Sequence, residues 1–534
     1  MALEIESAAP SRAEVPDVVR RRLAPPMPTD GRRSWLITGA IVVVAAALRL
    51  YALGHPPGKI FDEVYYATEG KDLLRHGVEW NHQNNTGDFV VHPPLGKWLI
   101  AFGEWISGRH HVGPLHWHFS DEFGWRIMPA IFGIIAVLLV TRLARRMFRS
   151  TLLGAAAGLL MTLDGLELVL SRTALLDVFL LTFVLASFYC LVMDRETRRR
   201  AWLRALEEGL DPRRPGRAGR PRLGVPWWRL GGFFLIGCAM AVKWSALWYI
   251  LAFALLVLWW EVGTRRCAGV PRPWRDTLLD ETIWVGMGAV IAVAVYLTSW
   301  TGWFASSKGY DRNWLRDNGH EQPFILGPLR NLWQYHSEAL HFHDTLSTPH
   351  QYQSWPWQWL LLGRPVAFYY TGNGHCGASS CSSEVLLLGT PILWWSFLPA
   401  LCLLAWFGVS RRDWRALAIG TGVLAGIVPW FPWEASHRTM FYFYVAPSEP
   451  FLILAVVYVL GAVMRGPVRA GPIRSVGGYL RRPPDERRTI GAIATGAYLT
   501  AIALCFAYFY PIYVARVITY AQWYARMWLG NRWI

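Results

Sequence analysis

Eleven apolar windows punctuate this chain, at roughly residues 35–53, 125–141, 151–168, 173–193, 230–242, 244–262, 281–302, 389–409, 415–431, 440–464 and 490–513. A hydrophobic content of 53%, 31 Trp and only 17% charged residues in 534 fit a polytopic membrane protein better than a string of soluble domains. The windows near 151, 230 and 415 fall short of the ~20 residues that cross a ~30 Å hydrocarbon core, so they borrow flanking residues or tilt. The fold class expected is an all-α polytopic membrane protein with about eleven transmembrane helices.

Charge then orients the spans. A formal net charge of +16 would suggest nucleic acid as partner in a soluble chain. With the N-terminus inside and eleven crossings, however, about 35 of the 53 Lys and Arg fall on the cytoplasmic side, as the positive-inside rule requires. The basic excess therefore encodes orientation, and nucleic acid is set aside. Residues 1–34, rich in Pro, Ala and charge, read as a disordered cytoplasmic tail ahead of an uncleaved first span.

This topology makes 35–513 the membrane domain and leaves two sizeable outer loops, 54–122 and 303–388, with the basic stretch 194–229 as a solvated inner connector. Loops that long are usually functional or packed subdomains. Asp62 to Gly77 suits an interfacial helix, and the twelve-residue apolar run 95–106 suits a re-entrant or interfacial helix, because a span there would invert every later loop. Residues 514–534, outside, have aromatic and Arg spacing compatible with an amphipathic helix on the membrane surface.

An adjacent acid pair, Asp62 and Glu63, emerges a few residues after the first span, where carboxylates need water or a partner. Arg49, Arg126, Arg172, Lys243 and Arg438 all fall at the outer ends of their spans, which suggests a pocket for an anion such as a phosphate. Each has a plainer alternative: a single Arg snorkels to the headgroups, Asp177 pairs with Arg172 one turn away, and an acid pair caps a helix. Taken together, a carboxylate can accept a proton from an attacking hydroxyl while cations hold a leaving phosphate. That chemistry is group transfer from a lipid phosphate. No Gly-rich phosphate loop points to nucleotide chemistry instead.

The combination FDEVYY (Phe61 to Tyr66), VHPPLGK (Val91 to Lys97), GWRIMP (Gly124 to Pro129), LSRTALLDV (Leu170 to Val178), AVKW (Ala241 to Trp244), SWPWQWLLLGRPVAFYY (Ser354 to Tyr370) and HRTMFYFYVAP (His437 to Pro447) resembles the protein O-mannosyltransferase family. The resemblance implies a type C glycosyltransferase fold (GT-C) and inverting transfer of mannose from a polyprenyl-phosphate carrier to Ser or Thr of translocating polypeptides at the outer face of the plasma membrane. It implies Asp62 as catalytic base, Glu63 as its partner in positioning the acceptor and Arg126 at the donor phosphate. Arg49, Arg172, Lys243, His92, Lys97 and Arg438 are added as site candidates. The outer loop after the seventh span, about 85 residues, is too short for the β-trefoil domain of eukaryotic relatives, which points to a bacterial member.

Cys376 and Cys381, five residues apart in a Gly/Ser-rich turn, suit a disulfide; the alternative, a metal site with His375, lacks the paired spacing of zinc ligands. No cofactor is required by the pattern. A divalent cation at Asp62, Glu63 and His92 is compatible with their types, though nothing in the spacing demands it. Two other functions stay open: a type C enzyme with a lipid acceptor, and a lipid or sugar transporter, against which stand the one-sided charges and the lack of an internal repeat. The secretion channel is a further candidate partner.

Overall fold

The computed structural model describes residues 15–108, 110–112, 115–117, 119–465 and 484–534. A short helix α1 (Asp17–Leu23) precedes the first long one, α2 (Gly31–Leu50). Then come α3 (Glu63–His76) and α4 (Leu95–Ser107), which pair with each other, α4 also packing on α5 (Asp121–Phe148). Gly103 of α4 lies so close to α5 that an added Cβ would sit 2.6 Å from the Gly124 carbonyl, so only glycine permits this crossing. Ser120 and Ser150 start α5 and α6 (Thr151–Thr162), accepting from the amides of Phe123 and Leu153 as N-caps do.

Between α6 and α7 (Gly165–Ser171) the chain bends by 63°. Asp164 sits at the break and accepts from the Thr390 amide at 2.8 Å and the Trp394 indole at 2.9 Å. Four longer elements follow: α8 (Asp177–Glu207), α9 (Trp227–Met240), α10 (Ala246–Ala268) and α11 (Pro273–Ser299). The loop helix Leu326–Thr345 and an antiparallel sheet of Val366–Thr371, Cys381–Leu387 and Ile518–Thr519 belong to the site end of the molecule. Helices Pro391–Arg411, Trp414–Ile427, Glu449–Arg465 and Pro484–Tyr513 complete the bundle.

Among the described residues nine helices are long and apolar enough to cross a membrane, ten with the bent pair α6–α7. The eleventh window is α9, only 14 residues long. Its flanks nevertheless mark both levels of the bundle: Arg229 binds Asp194 at 2.7 Å and Lys243 binds Asp177 at 2.8 Å. Asp177 and Asp194 both lie on α8, 17 residues or about 25 Å apart, so α9 connects the same two levels as α8. Helices such as α11 keep Leu279, Ile283 and Val290 exposed, an apolar belt that a bilayer covers.

Three expectations need correction. Residues 15–30 of the supposed disordered tail are ordered: Leu23 is buried beside Trp202 and Leu206, and Asp30 pairs with Arg145 at 2.8 Å; residues 1–14 lie outside the described part. The basic connector is not a solvated loop throughout, since α8 runs on to Glu207 and Arg198 and Arg229 are buried with Glu261 and Glu281. Nor does 514–534 form a surface helix. Ile518–Thr519 adds a strand to the sheet, and Trp523 and Trp533 are buried with their indoles donating to Glu384 at 2.6 Å and the Leu362 carbonyl at 2.7 Å. Aromatic and Arg spacing reads alike for a lipid surface and a protein one; here buried acceptors decided.

Candidate active site

The acid pair divides at once into two environments. Glu63, the first residue of α3, is fully buried. One oxygen accepts from Arg126 Nε at 2.8 Å and the Ala174 amide at 3.0 Å; the other accepts from Arg126 Nη2 at 2.8 Å and the Ile60 amide at 3.0 Å. Arg126 donates its remaining protons to the carbonyls of Leu53, Pro56 and Gly58. A buried pair is tolerable when all its donors and acceptors are met, as here. The pair fastens the 53–60 segment to α5 and to the turn before α8.

Asp62, at the start of α3, is half-buried, and its carboxylate makes no hydrogen bond or ion pair among the described residues. Burial raises its pKa to about 6; Lys243 opposes the rise, while Asp177 and Glu69 add to it. The preceding Phe61 holds φ at +47°, a conformation rare for a bulky side chain. Its ring stacks on Phe368 at 4.4 Å and meets Phe441 and Phe443 edge-on at 6.5 and 6.0 Å. Packing from the sheet and the 440s therefore fixes the backbone that aims Asp62.

A cavity of about 360 Å³ lies at this end. Its polar end carries Lys243, Asp177, His92, His343 and Arg438; its walls are Leu180, Leu247, Leu251 and Trp248, with Trp430 and Trp433 beside Arg438. Lys243 is bound to Asp177, not Arg172 to Asp177 as the sequence allowed. The Arg438 guanidinium lies 5.6 to 5.7 Å from the rings of Trp430, Trp433 and Tyr444, and donates to the His343 carbonyl at 2.8 Å. His343 Nδ1 is 3.2 Å from Arg438 Nη2 and Nε2 is 3.2 Å from the Val91 carbonyl, so the neutral ring carries its proton on Nε2. Burial, then Arg438 and Lys243, push His343 down to about 4. Burial, followed by Lys243 and His343, drives His92 well below its usual range. Both rings are uncharged at neutral pH, leaving Lys243 and Arg438 as the cavity's cations.

The remaining candidates stand elsewhere. Arg49 is buried against Glu167. Arg172 donates to the carbonyls of Leu48, Arg49, Tyr51 and Ala52, closing the end of α2. Lys97 is buried between Glu79 and Glu69, the latter at 3.4 Å; burial opposes its charge, yet these two carboxylates hold its pKa above the usual range. Arg126 faces Glu63 rather than the cavity. With both Glu63 oxygens bonded to Arg126, the set Asp62, Glu63 and His92 does not assemble, and among the described residues no three His, Cys, Asp or Glu stand as a metal-binding group. Cys376 and Cys381 are joined by a disulfide.

Sequence reasoning passed over His343, Trp430, Trp433 and Tyr444. His343 gave no signal, lying in a loop far along the chain. The Trp pair does give one, standing eight and five residues upstream of Arg438 in WFPWEASHR.

Two family models match the chain: dolichyl-phosphate-mannose-protein mannosyltransferase over residues 39–210 and the C-terminal four-span region of protein O-mannosyltransferase over 328–533. A polyprenol-phosphate-mannose–protein mannosyltransferase of Mycolicibacterium smegmatis is 38% identical, with 94% of each chain covered. That of Mycobacterium tuberculosis is 37% identical over 94% of this chain and 93% of its own. One from Corynebacterium glutamicum is 30% identical with 93% of each covered. Among solved structures, the Saccharomyces cerevisiae protein O-mannosyltransferase Pmt1-Pmt2 complex bound to the sugar donor superposes with a TM-score of 0.70 at 14% identity, covering 98% of this chain and 95% of that one, a likeness of fold. The bundle thus has the type C glycosyltransferase fold, and the chain belongs to the protein O-mannosyltransferase family.

Proposed function

We propose that this protein transfers mannose, with inversion, from a polyprenyl-phosphate-mannose donor to Ser or Thr hydroxyls of secreted or membrane polypeptides. The observation that carries the mechanism is the division of labour in the acid pair: Glu63 is locked to Arg126, while Asp62 stays unbonded within electrostatic reach of Lys243 and Asp177, which line the polar end of a cavity with apolar walls. The prenyl chain lies along Leu180, Leu247 and Leu251, and the phosphate reaches Lys243 and Arg438. Asp62 takes the proton of the acceptor hydroxyl as its oxygen forms a bond to the anomeric carbon. The bond from that carbon to the phosphate oxygen breaks on the opposite face, and the cations offset the charge left on the phosphate. Arg126 and Glu63 act as positioning residues. The site opens to the outer face of the plasma membrane, with the N-terminus and the Arg-rich end in the cytoplasm.

The test is transfer of labelled mannose from the polyprenyl carrier to an acceptor peptide. Asp62→Asn should lower the rate roughly 10²- to 10⁴-fold with the folded protein still present. Undiminished transfer by that variant sinks the base assignment, and label recovered in lipid instead of peptide sinks the acceptor.

A further inference from the structure

The opposite end of the bundle holds a second pocket, of about 380 Å³, outside the machinery above. It is lined by Arg146, Arg149, Arg195, Arg199, Arg200 and Glu196, with the apolar segment Leu23 to Met27 as one wall. Five arginines against one glutamate leave four positive charges uncompensated. Glu196 is already shared by Arg146 at 2.6 Å, Arg200 at 3.1 Å and Arg149 at 3.7 Å. Asp413, whose charge also acts on Arg195, is itself paired with Arg415 at 2.5 Å. Arg195 makes no hydrogen bond or ion pair among the described residues: its guanidinium lies 3.6 Å from the centre of the Trp414 ring, and its buried Nε has no acceptor. Arg199 Nε is buried and unmatched as well. Arg149 donates to the Pro25 carbonyl, and Arg199 to the Arg22 carbonyl at 2.9 Å and Thr264 Oγ1 at 3.2 Å, but these acceptors are neutral and leave the charge uncompensated, whereas Arg198, Arg229 and Arg265 on the same side each meet at least two carboxylates.

We propose that this pocket binds the phosphate of an anionic phospholipid headgroup in the leaflet opposite the active site. Guanidinium forks match phosphate oxygens bidentately. Depth favours a lipid source. Arg195 lies 18 residues along α8 from Asp177 of the active-site cavity, about 27 Å, close to the ~30 Å that separates the two headgroup levels. The wall of Leu23, Pro25, Pro26 and Met27 gives a glycerol and acyl stem an apolar surface, and it ties the N-terminal segment to occupancy of the site.

The full chain, purified in detergent, would be titrated with phosphatidylglycerol, phosphatidylcholine or inorganic phosphate, reading bound lipid by native mass spectrometry and the unfolding midpoint in parallel. Phosphatidylglycerol should bind and raise the midpoint where phosphatidylcholine does not. The double variant Arg195→Gln/Arg200→Gln should weaken that binding at least tenfold. Glu196→Gln, which removes the pocket's one acid, should strengthen it, a gain that misfolding cannot imitate. Equal affinity in wild type and the double variant, or no preference over phosphatidylcholine, overturns the site. A shift produced by inorganic phosphate and not exceeded by phosphatidylglycerol overturns the lipid assignment.

Discussion

Two neighbouring carboxylates with the same chemistry behave differently because one has partners and the other does not. With its pKa raised to about 6 by burial, Asp62 is a base only in its ionised form, so transfer should climb as pH rises through about 6 and level off above it. A pH–rate profile measures this, and a flat profile from pH 5 to 8 contradicts the assignment. Glu63→Ala leaves the Arg126 charge buried without its carboxylate, which should destabilise the fold by about 3–5 kcal/mol, seen as a lower unfolding midpoint. Glu63→Gln keeps the shape and one acceptor, so it should be milder. Glu384 behaves differently again: burial raises its pKa to about 8 while it accepts from Trp523. Its folded-state pKa lies above the unfolded one, so its protonated form favours folding at low pH and that contribution is lost as pH rises from about 4.5 toward 8. Glu384→Gln should therefore raise the unfolding midpoint near pH 7.5, with the advantage shrinking toward pH 5.

At the scale of elements, the catalytic segment is held by parts of the chain that are hundreds of residues away. Phe61 rests on Phe368 of the sheet and on Phe441 and Phe443, and the sheet is extended by Ile518–Thr519 from the C-terminal segment. Removing residues 514–534 takes away that strand together with the buried Trp523 and Trp533. The truncated protein should lose transfer activity and become protease-sensitive within 364–388, while the bundle keeps its helical circular dichroism. Phe61→Ala removes the packing that fixes Asp62 and should depress kcat more than donor KM, since it leaves Lys243 and Arg438 in place.

The whole molecule has two polar levels joined by apolar helices: Asp62, Lys243 and Arg438 at one, the arginine-rich ion-pair network at the other. If charge sets orientation as proposed, a single cysteine placed at Asn84 should react with a membrane-impermeant maleimide in intact cells. One placed at Arg213 should react only after the membrane is opened. Labelling of both in intact cells would contradict the arrangement.

The class of fold and most of the apolar spans were legible in the sequence because lipid imposes them locally: helix-length apolar runs can be counted without knowing any contact, and nine of the described helices, ten with the bent pair, are long and apolar enough to cross. The acid pair was legible for the same reason, since Asp62 and Glu63 beside a span are anomalous wherever the chain goes. The partner of each charge was not legible. Arg49, Arg126, Arg172 and Lys97 look like Lys243 and Arg438 in sequence, and all six find carboxylates or carbonyls across the fold, yet only Lys243, paired with Asp177, and Arg438, on the His343 carbonyl, also line the cavity. An ionic pair in a dry interior is decided by which groups the packing brings within about 3 Å, and tertiary structure alone fixes that.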